Sequence, residues 1–244
     1  MYAHCPKCDH APMPAQQAFP AACPACGVIL ARVDSGPSRA QRAVSQDGDD
    51  EGSTWRERLL EVPAQVTPFG FWGRVALLVG FALWAAVLIS LNYRNAEINE
   101  SFLHRPLLIF HEAGHVIFMP LGHWMTIFGG TLGQLLMPAI MGGALLRTNR
   151  DPFGAAIGLW LLGVSLLDVA PYIYDALVPQ MMLLSGRTGE AGGHDWIFLL
   201  RSMGLLPQAQ WLGALVHKLG AAVILLALGW AAWVLKHQHA QLAR

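Results

Sequence analysis

Five apolar runs, near residues 75–91, 103–121, 124–146, 153–178 and 211–235, each approach the ~20 residues a helix needs to cross a bilayer. Backbone in hydrocarbon has no water to bond with, so such runs commit a chain to helices. Composition agrees: 54% of the 244 residues are hydrophobic and 13% are charged, whereas a soluble domain carries about a quarter charged residues. The expected fold is an all-α polytopic membrane helix bundle of four to six spans. Its integral membrane domain covers 75–236, and the lipid bilayer is its first partner. The formal net charge is zero and no basic stripe stands out, which excludes nucleic acid.

The opening residues, "MYAHCPKCDH", have neither a basic leader nor an apolar core. The expectation is a multi-pass protein of the plasma or inner membrane, its N-terminus cytoplasmic and its first membrane helix acting as insertion signal. Arg56, Arg58 and Arg74, ahead of the first run, agree under the positive-inside rule. Five plain crossings would then leave Arg147 and Arg150 outside. A re-entrant segment would remove the conflict, and the glycine-rich, Pro138-interrupted stretch 128–143 is the candidate.

Ahead of the membrane runs the chain divides by composition. Residues 34–54, "DSGPSRAQRAVSQDGDDEGST", hold almost no large apolar side chain and are expected to be a flexible linker. Residues 55–74 form a juxtamembrane segment. There "WRERLLEV" suits a short surface helix and "FGFWGR" an interfacial anchor, with a plain tether as the simpler alternative. Residues 1–33 contain all four cysteines, as "CPKC" at 5–8 and "CPAC" at 23–26. Two CxxC pairs can cage one Zn²⁺ with four thiolates, and in a reducing compartment they stay available for it. The residue after each second cysteine often needs a positive φ, which Gly27 adopts freely and Asp9 tolerates. Cys5, Cys8, Cys23 and Cys26 are therefore expected to hold a structural zinc. A redox dithiol would be expected beside a βαβ pattern, which is absent. A module of this size should not stay folded without its metal. His4 is a spare ligand.

The second polar anomaly is "LLIFHEAGHVIF", residues 107–118. His111 and His115 stand four apart, so on a helix their imidazoles share one face and can share one ion. Glu112 is rotated by about 100° from His111, within reach of a water on that ion without being its ligand. This is the HExxH arrangement: the zinc acidifies the water, and the glutamate takes its proton and returns it to the leaving amine. With a helix start near Leu103, His111 lies about 12 Å along the axis, inside hydrocarbon, where ionisable groups are costly and mark function. The plainer alternative is polar contact between helices.

A catalytic zinc takes a third protein ligand and leaves one position open. Asp168, Asp175, His194 and Asp195 are the candidates. Asp195, in "GEAGGHDWIFLL", is favoured because a glycine-rich turn can fold it back into the bundle. A plain helix N-cap is its competing role. Asp168 and Asp175, seven apart, suit hydrogen bonds that orient ligands or link helices. His217 has no assigned role, while His237 and His239 belong to a basic tail at the interface. Gly129/Gly133 and Gly154/Gly158 match the small-xxx-small spacing of close helix packing.

HExxH within a membrane run, followed by a later acidic motif, resembles the site-2 protease family of intramembrane zinc metallopeptidases over residues 72–235. "HEAGH" matches that family's metal-binding helix, which implies zinc ligation by His111 and His115 and general-base work by Glu112. The family's third ligand is an aspartate of an Asp-Gly motif. This chain has no membrane Asp-Gly, and "GGHDW", downstream of Pro179, is its positional counterpart, with Asp195 as ligand and His194 as rival. The resemblance implies one catalytic zinc beside the structural one, and as substrate a membrane-embedded protein or peptide. The cysteine module resembles short zinc ribbons, which implies interaction or regulation, with a protein as the candidate partner. Two other functions fit the same residues: a non-catalytic metal-binding scaffold, and a metal transporter.

Overall fold

The computed structural model describes residues 3–5, 7–13, 21–30, 59–60, 62 and 67–242, in two compact units, Met1–Glu57 and Arg58–Arg244. The linker expected over 34–54 lies outside the described residues. Among those described there is no β-strand, only two isolated bridges, and the described residues of the larger unit are mostly helical.

Four helices are long and apolar enough to cross a membrane. Helix α1 spans Pro68–Ser90 and starts seven residues ahead of the expected run, because Thr67 caps it. The Thr67 hydroxyl accepts from the Gly70 amide at 3.1 Å, and Pro68 fits the first turn, where no amide hydrogen is needed. The other three spanning helices are α3 (His123–Arg147), α4 (Pro152–Asp175) and α6 (Ala209–Leu242). Between α1 and α3 lies α2, His104–Phe118. Between α4 and α6 lies the eight-residue α5, Asp195–Ser202.

Two expectations are corrected here. The glycine-rich stretch 128–143 is not re-entrant; it is the middle of the continuous α3, with Pro138 buried inside it. Gly129, Gly133 and Gly142 lie close against neighbouring backbone, which steadies the helix where proline removes a bond. A Cβ on Gly133 would sit 2.6 Å from the Phe110 carbonyl of α2, and one on Gly158 would sit 2.6 Å from Gly142 Cα. The segment that falls short of a span is α2. Its 15 residues cover about 22 Å, against about 30 Å of hydrocarbon, before Pro120 and the turn at Gly122 (φ +96°) reverse the chain into α3.

A short α2 resolves the arginine conflict. Arg74, near the start of α1, pairs with Asp151 in the α3–α4 turn at 3.5 Å. Phe71 packs with Phe153 of α4 and with Val234 and Leu235 of α6. One end of the bundle therefore holds the start of α1, the α3–α4 turn with Arg147 and Arg150, and the end of α6. The four long helices alternate in direction, and α2 is an extra arm antiparallel to α3.

Helix α4 is the central element. Trp160, Val164 and Leu167 have no exposed surface and join Ala85 and Leu88 of α1, Leu107 of α2 and Ile224 of α6 in the largest core cluster. Gly163 of α4 opposes Gly220 of α6, where a Cβ would lie 2.9 Å from the facing carbonyl. Such backbone contact sets helix spacing without relying on a hydrophobic effect that lipid does not supply. The lipid-type face of α1 is apolar and open, Leu83 and Val87 among it.

In the smaller unit the two CxxC loops have the same backbone. The Cys5 amide donates to the His10 carbonyl and the Asp9 amide to the Cys5 carbonyl, at 3.0 and 2.9 Å. Cys23 with Val28 and Gly27 with Cys23 repeat this pair, both at 2.9 Å. Asp9 and Gly27 take φ of 60° and 69°, the left-handed conformation such a turn requires.

Candidate metal centres

The four cysteine sulfurs converge, and none is in a disulfide. Cys5 Sγ lies 3.7 Å from Cys26 Sγ, and Cys8 Sγ lies 3.8 Å from Cys23 Sγ. Four thiolates at about 2.3 Å from one zinc stand about 3.8 Å apart in a tetrahedron, so the cage has the right size. Burial opposes ionisation of Cys5. The amides of Lys7 and Cys8 and the neighbouring thiols outweigh it, and bring its pKa down to about 6. The cluster is compatible with a zinc ribbon and could bind a metal ion. His4 is exposed, 3.9 Å from Asp9, and is not among the four ligand atoms.

The second group is His111, His115 and Asp195. Their ligand atoms lie within 4.8 Å of one another. His111 Nε2 is 3.0 Å from Asp195 Oδ2, and His115 Nε2 is 3.3 Å from the same oxygen. Ligands at about 2.0–2.1 Å in a tetrahedron stand about 3.3 Å apart, again a match.

Both imidazoles are oriented by what lies behind them. His115 Nδ1 is 2.8 Å from the Thr126 carbonyl oxygen, which can only accept, so the ring carries its proton there. His111 Nδ1 faces Gln134 Oε1 at 3.2 Å. The Gln134 amide cannot be turned the other way, because its nitrogen donates to Asp168 Oδ2 at 2.7 Å and a carboxylate only accepts. His104 Nδ1 donates to Asp168 Oδ1 at 2.8 Å and completes the chain. With each Nδ1 tied to a carbonyl oxygen, both Nε2 atoms are left to face the Asp195 carboxylate. The three ligand atoms converge closely enough that they could hold a metal ion.

The backbone leaves room for this. A Cβ on Gly130 would lie 2.6 Å from the Nε2 atoms of both His111 and His115. A Cβ on Gly114 would run into the Gly129 carbonyl. The two rings can thus lie directly on α3.

Asp195 arrives from a distant part of the chain. It is the first residue of α5, where a carboxylate is favoured by the helix dipole, and it is 9% exposed. Burial raises its proton affinity, but His111 and His115 hold it below the usual carboxylate range. The N-cap is His194, not Asp195. His194 Nδ1 accepts from the Ile197 amide at 3.3 Å, so Nε2 carries the proton and donates to Asp175 Oδ2, also at 3.3 Å. Neither nitrogen is left for a metal, and the rival third ligand does not join the group. Asp175 also accepts from the amides of Gln180 and Met181, at 2.8 and 3.0 Å. It thereby fixes both ends of the loop that delivers Asp195.

A cavity of about 500 Å³ opens beside the group. Glu112, Tyr172 and Asp168 line it, as do Met182 and Leu184 of the 176–194 loop. Glu112 is exposed to this space and has no bonded partner among the described residues. Gln134, Gly130, His104 and Thr126 were not anticipated. A glutamine in an apolar run, four residues after a glycine, was the available signal. His217 packs against Tyr93, His239 against Phe71, and His237 donates to the Trp233 carbonyl, all away from the group. No family model, curated protein or solved structure matches the chain, so these centres are understood from their own geometry.

Proposed function

We propose that the protein is an intramembrane zinc metallopeptidase that hydrolyses a peptide bond of a membrane-anchored protein or peptide. His111, His115 and Asp195 would hold the catalytic ion, and Cys5, Cys8, Cys23 and Cys26 a structural one. The observation that carries the proposal is the pair of imidazoles tied through Nδ1 to carbonyl oxygens, their Nε2 atoms meeting Asp195, with an unbonded Glu112 on the adjoining cavity wall. Bound there, a divalent ion supplies Lewis-acid activation of water and carbonyl. Glu112 accepts the water proton and passes it to the departing amine nitrogen. Gln134, Asp168 and Thr126 keep the rings aimed. Apolar Met182 and Leu184 give an extended apolar segment a surface beside Glu112.

The test uses the full chain in lipid vesicles with labelled single-span peptides, products being read by mass spectrometry. Glu112→Gln should retain two zincs per chain and lose at least about 100-fold in turnover, the scale of a removed general base. Equal turnover in the variant would contradict the proposal. Zinc flux into the vesicles without cleavage would point to the transporter instead.

A further inference from the structure

The hydroxyl of Tyr172 is only half used. The Asp195 amide donates to its oxygen at 3.0 Å, so the phenol is an acceptor in that bond and its own hydrogen must point elsewhere. Among the described residues the acceptor within its reach is the Asp195 carboxylate, the group that would ligate the ion. The ring is held firmly. It lies against His194 with centroids 4.2 Å apart and edge-on to His111 at 6.0 Å. Pro171 and Ile173, its neighbours on α4, are buried. Tyr172 lines the same cavity as Glu112, His111 and Asp195. A fixed phenol therefore stands in the wall of the space where a scissile carbonyl would lie, its hydrogen available to that carbonyl once an ion engages the Asp195 carboxylate.

Resting on the metallopeptidase reading, we infer that Tyr172 is a catalytic residue, the hydrogen-bond donor to the oxyanion that forms during hydrolysis. As the water oxygen bonds to the carbonyl carbon, the carbonyl π pair moves onto its oxygen, and Tyr172 donates to that oxygen without transferring its proton. The pair returns as the C–N bond breaks, and the amine nitrogen takes the proton held by Glu112. A donor already aimed at the place where charge develops costs no reorganisation at the moment of reaction, which makes such groups effective. The Asp195 amide fixes the phenol oxygen, so the metal ligand and the donor are set by one bond.

The experiment compares the zinc-loaded full chain with its Tyr172→Phe variant, both in a Glu112→Gln background so that nothing turns over. Two probes are used: an apolar peptide phosphinate, tetrahedral and anionic like the reacting carbon, and the same peptide with its ordinary planar amide. Tyr172→Phe should weaken phosphinate binding by about 10- to 100-fold, the scale of a hydrogen bond to a charged group. It should leave the amide peptide's Kd and the zinc content unchanged. Equal phosphinate affinity in the two chains would overturn the inference. Loss of zinc in the variant would also overturn it, by making Tyr172 a positioning residue for Asp195. If the parent chain holds both zincs yet binds the phosphinate no better than the amide, the metallopeptidase reading itself fails, a result distinct from the other two.

Discussion

The two candidate metal centres are similar in size but assembled in opposite ways. In the cysteine unit each half of the cage is a single turn. Cys5 and Cys8, then Cys23 and Cys26, are presented by loops closed through the same two hydrogen bonds. The larger unit takes two ligands from adjacent turns of α2 and the third from α5, 80 residues later. That third ligand depends on α4, because Asp175 anchors the loop and Tyr172 the Asp195 amide. Small local turns need the ion to hold them together, whereas a helix bundle can prepare a site before the ion arrives.

Removing metal should separate the two most strongly. A chelator strong enough to strip zinc should unfold the cysteine unit, whose apparent metal-binding energy is of the order of 10–16 kcal/mol in comparable modules. The helices of Arg58–Arg244 should stay intact. Hydrogen exchange on the full chain reads both at once, and equal loss of protection in the two units would break the contrast.

A substitution in the helix packing should do the reverse. Gly114→Ala drives a methyl into the Gly129 carbonyl, a backbone obstacle that no rotamer change relieves. A cost of about 3 kcal/mol, the upper range of overpacking, is expected for the larger unit. The zinc of the membrane centre should be lost with it, while the cysteine zinc stays. Chemical denaturation with metal analysis gives both values.

This contrast also decides what was legible in the sequence. Twin CxxC pairs and HEAGH announce themselves because helix and turn geometry place their ligands without reference to the rest of the chain. Asp195 was favoured through its glycine-rich turn and its place after Pro179 in the family resemblance, since no local spacing connects it to α2. His194, next to it, remained a rival because the tautomer that excludes it depends on Asp175 and on the Ile197 amide, two partners reached by folding. The five apolar runs located the helices well, but hydropathy could not distinguish the arm α2 from a span. Pro120 and Gly122 ended it early. Gly130 and Gln134 were hidden for a related reason. Inside an apolar run a glycine suggests packing in general, and only the position of α2 shows that this one makes room for two imidazoles.

The smallest expected effect lies behind the ligands. Gln134→Leu removes the acceptor for His111 Nδ1 and a donor to Asp168. Zinc affinity of the membrane centre should fall by about 10- to 100-fold, the usual consequence of losing such a partner. Affinity at the cysteines should not change. Chelator competition followed for each zinc separately would show it, and an equal drop at both would mean that the two units are coupled.

Zinc content and X-ray absorption of the full chain with Cys5, Cys8, Cys23 and Cys26 all replaced by serine test the central claim most directly. One zinc per chain is predicted, with nitrogen and oxygen neighbours at about 2.0–2.1 Å and no sulfur. A chain that binds no zinc once its cysteines are gone would contradict the membrane metal centre and the hydrolytic function built on it.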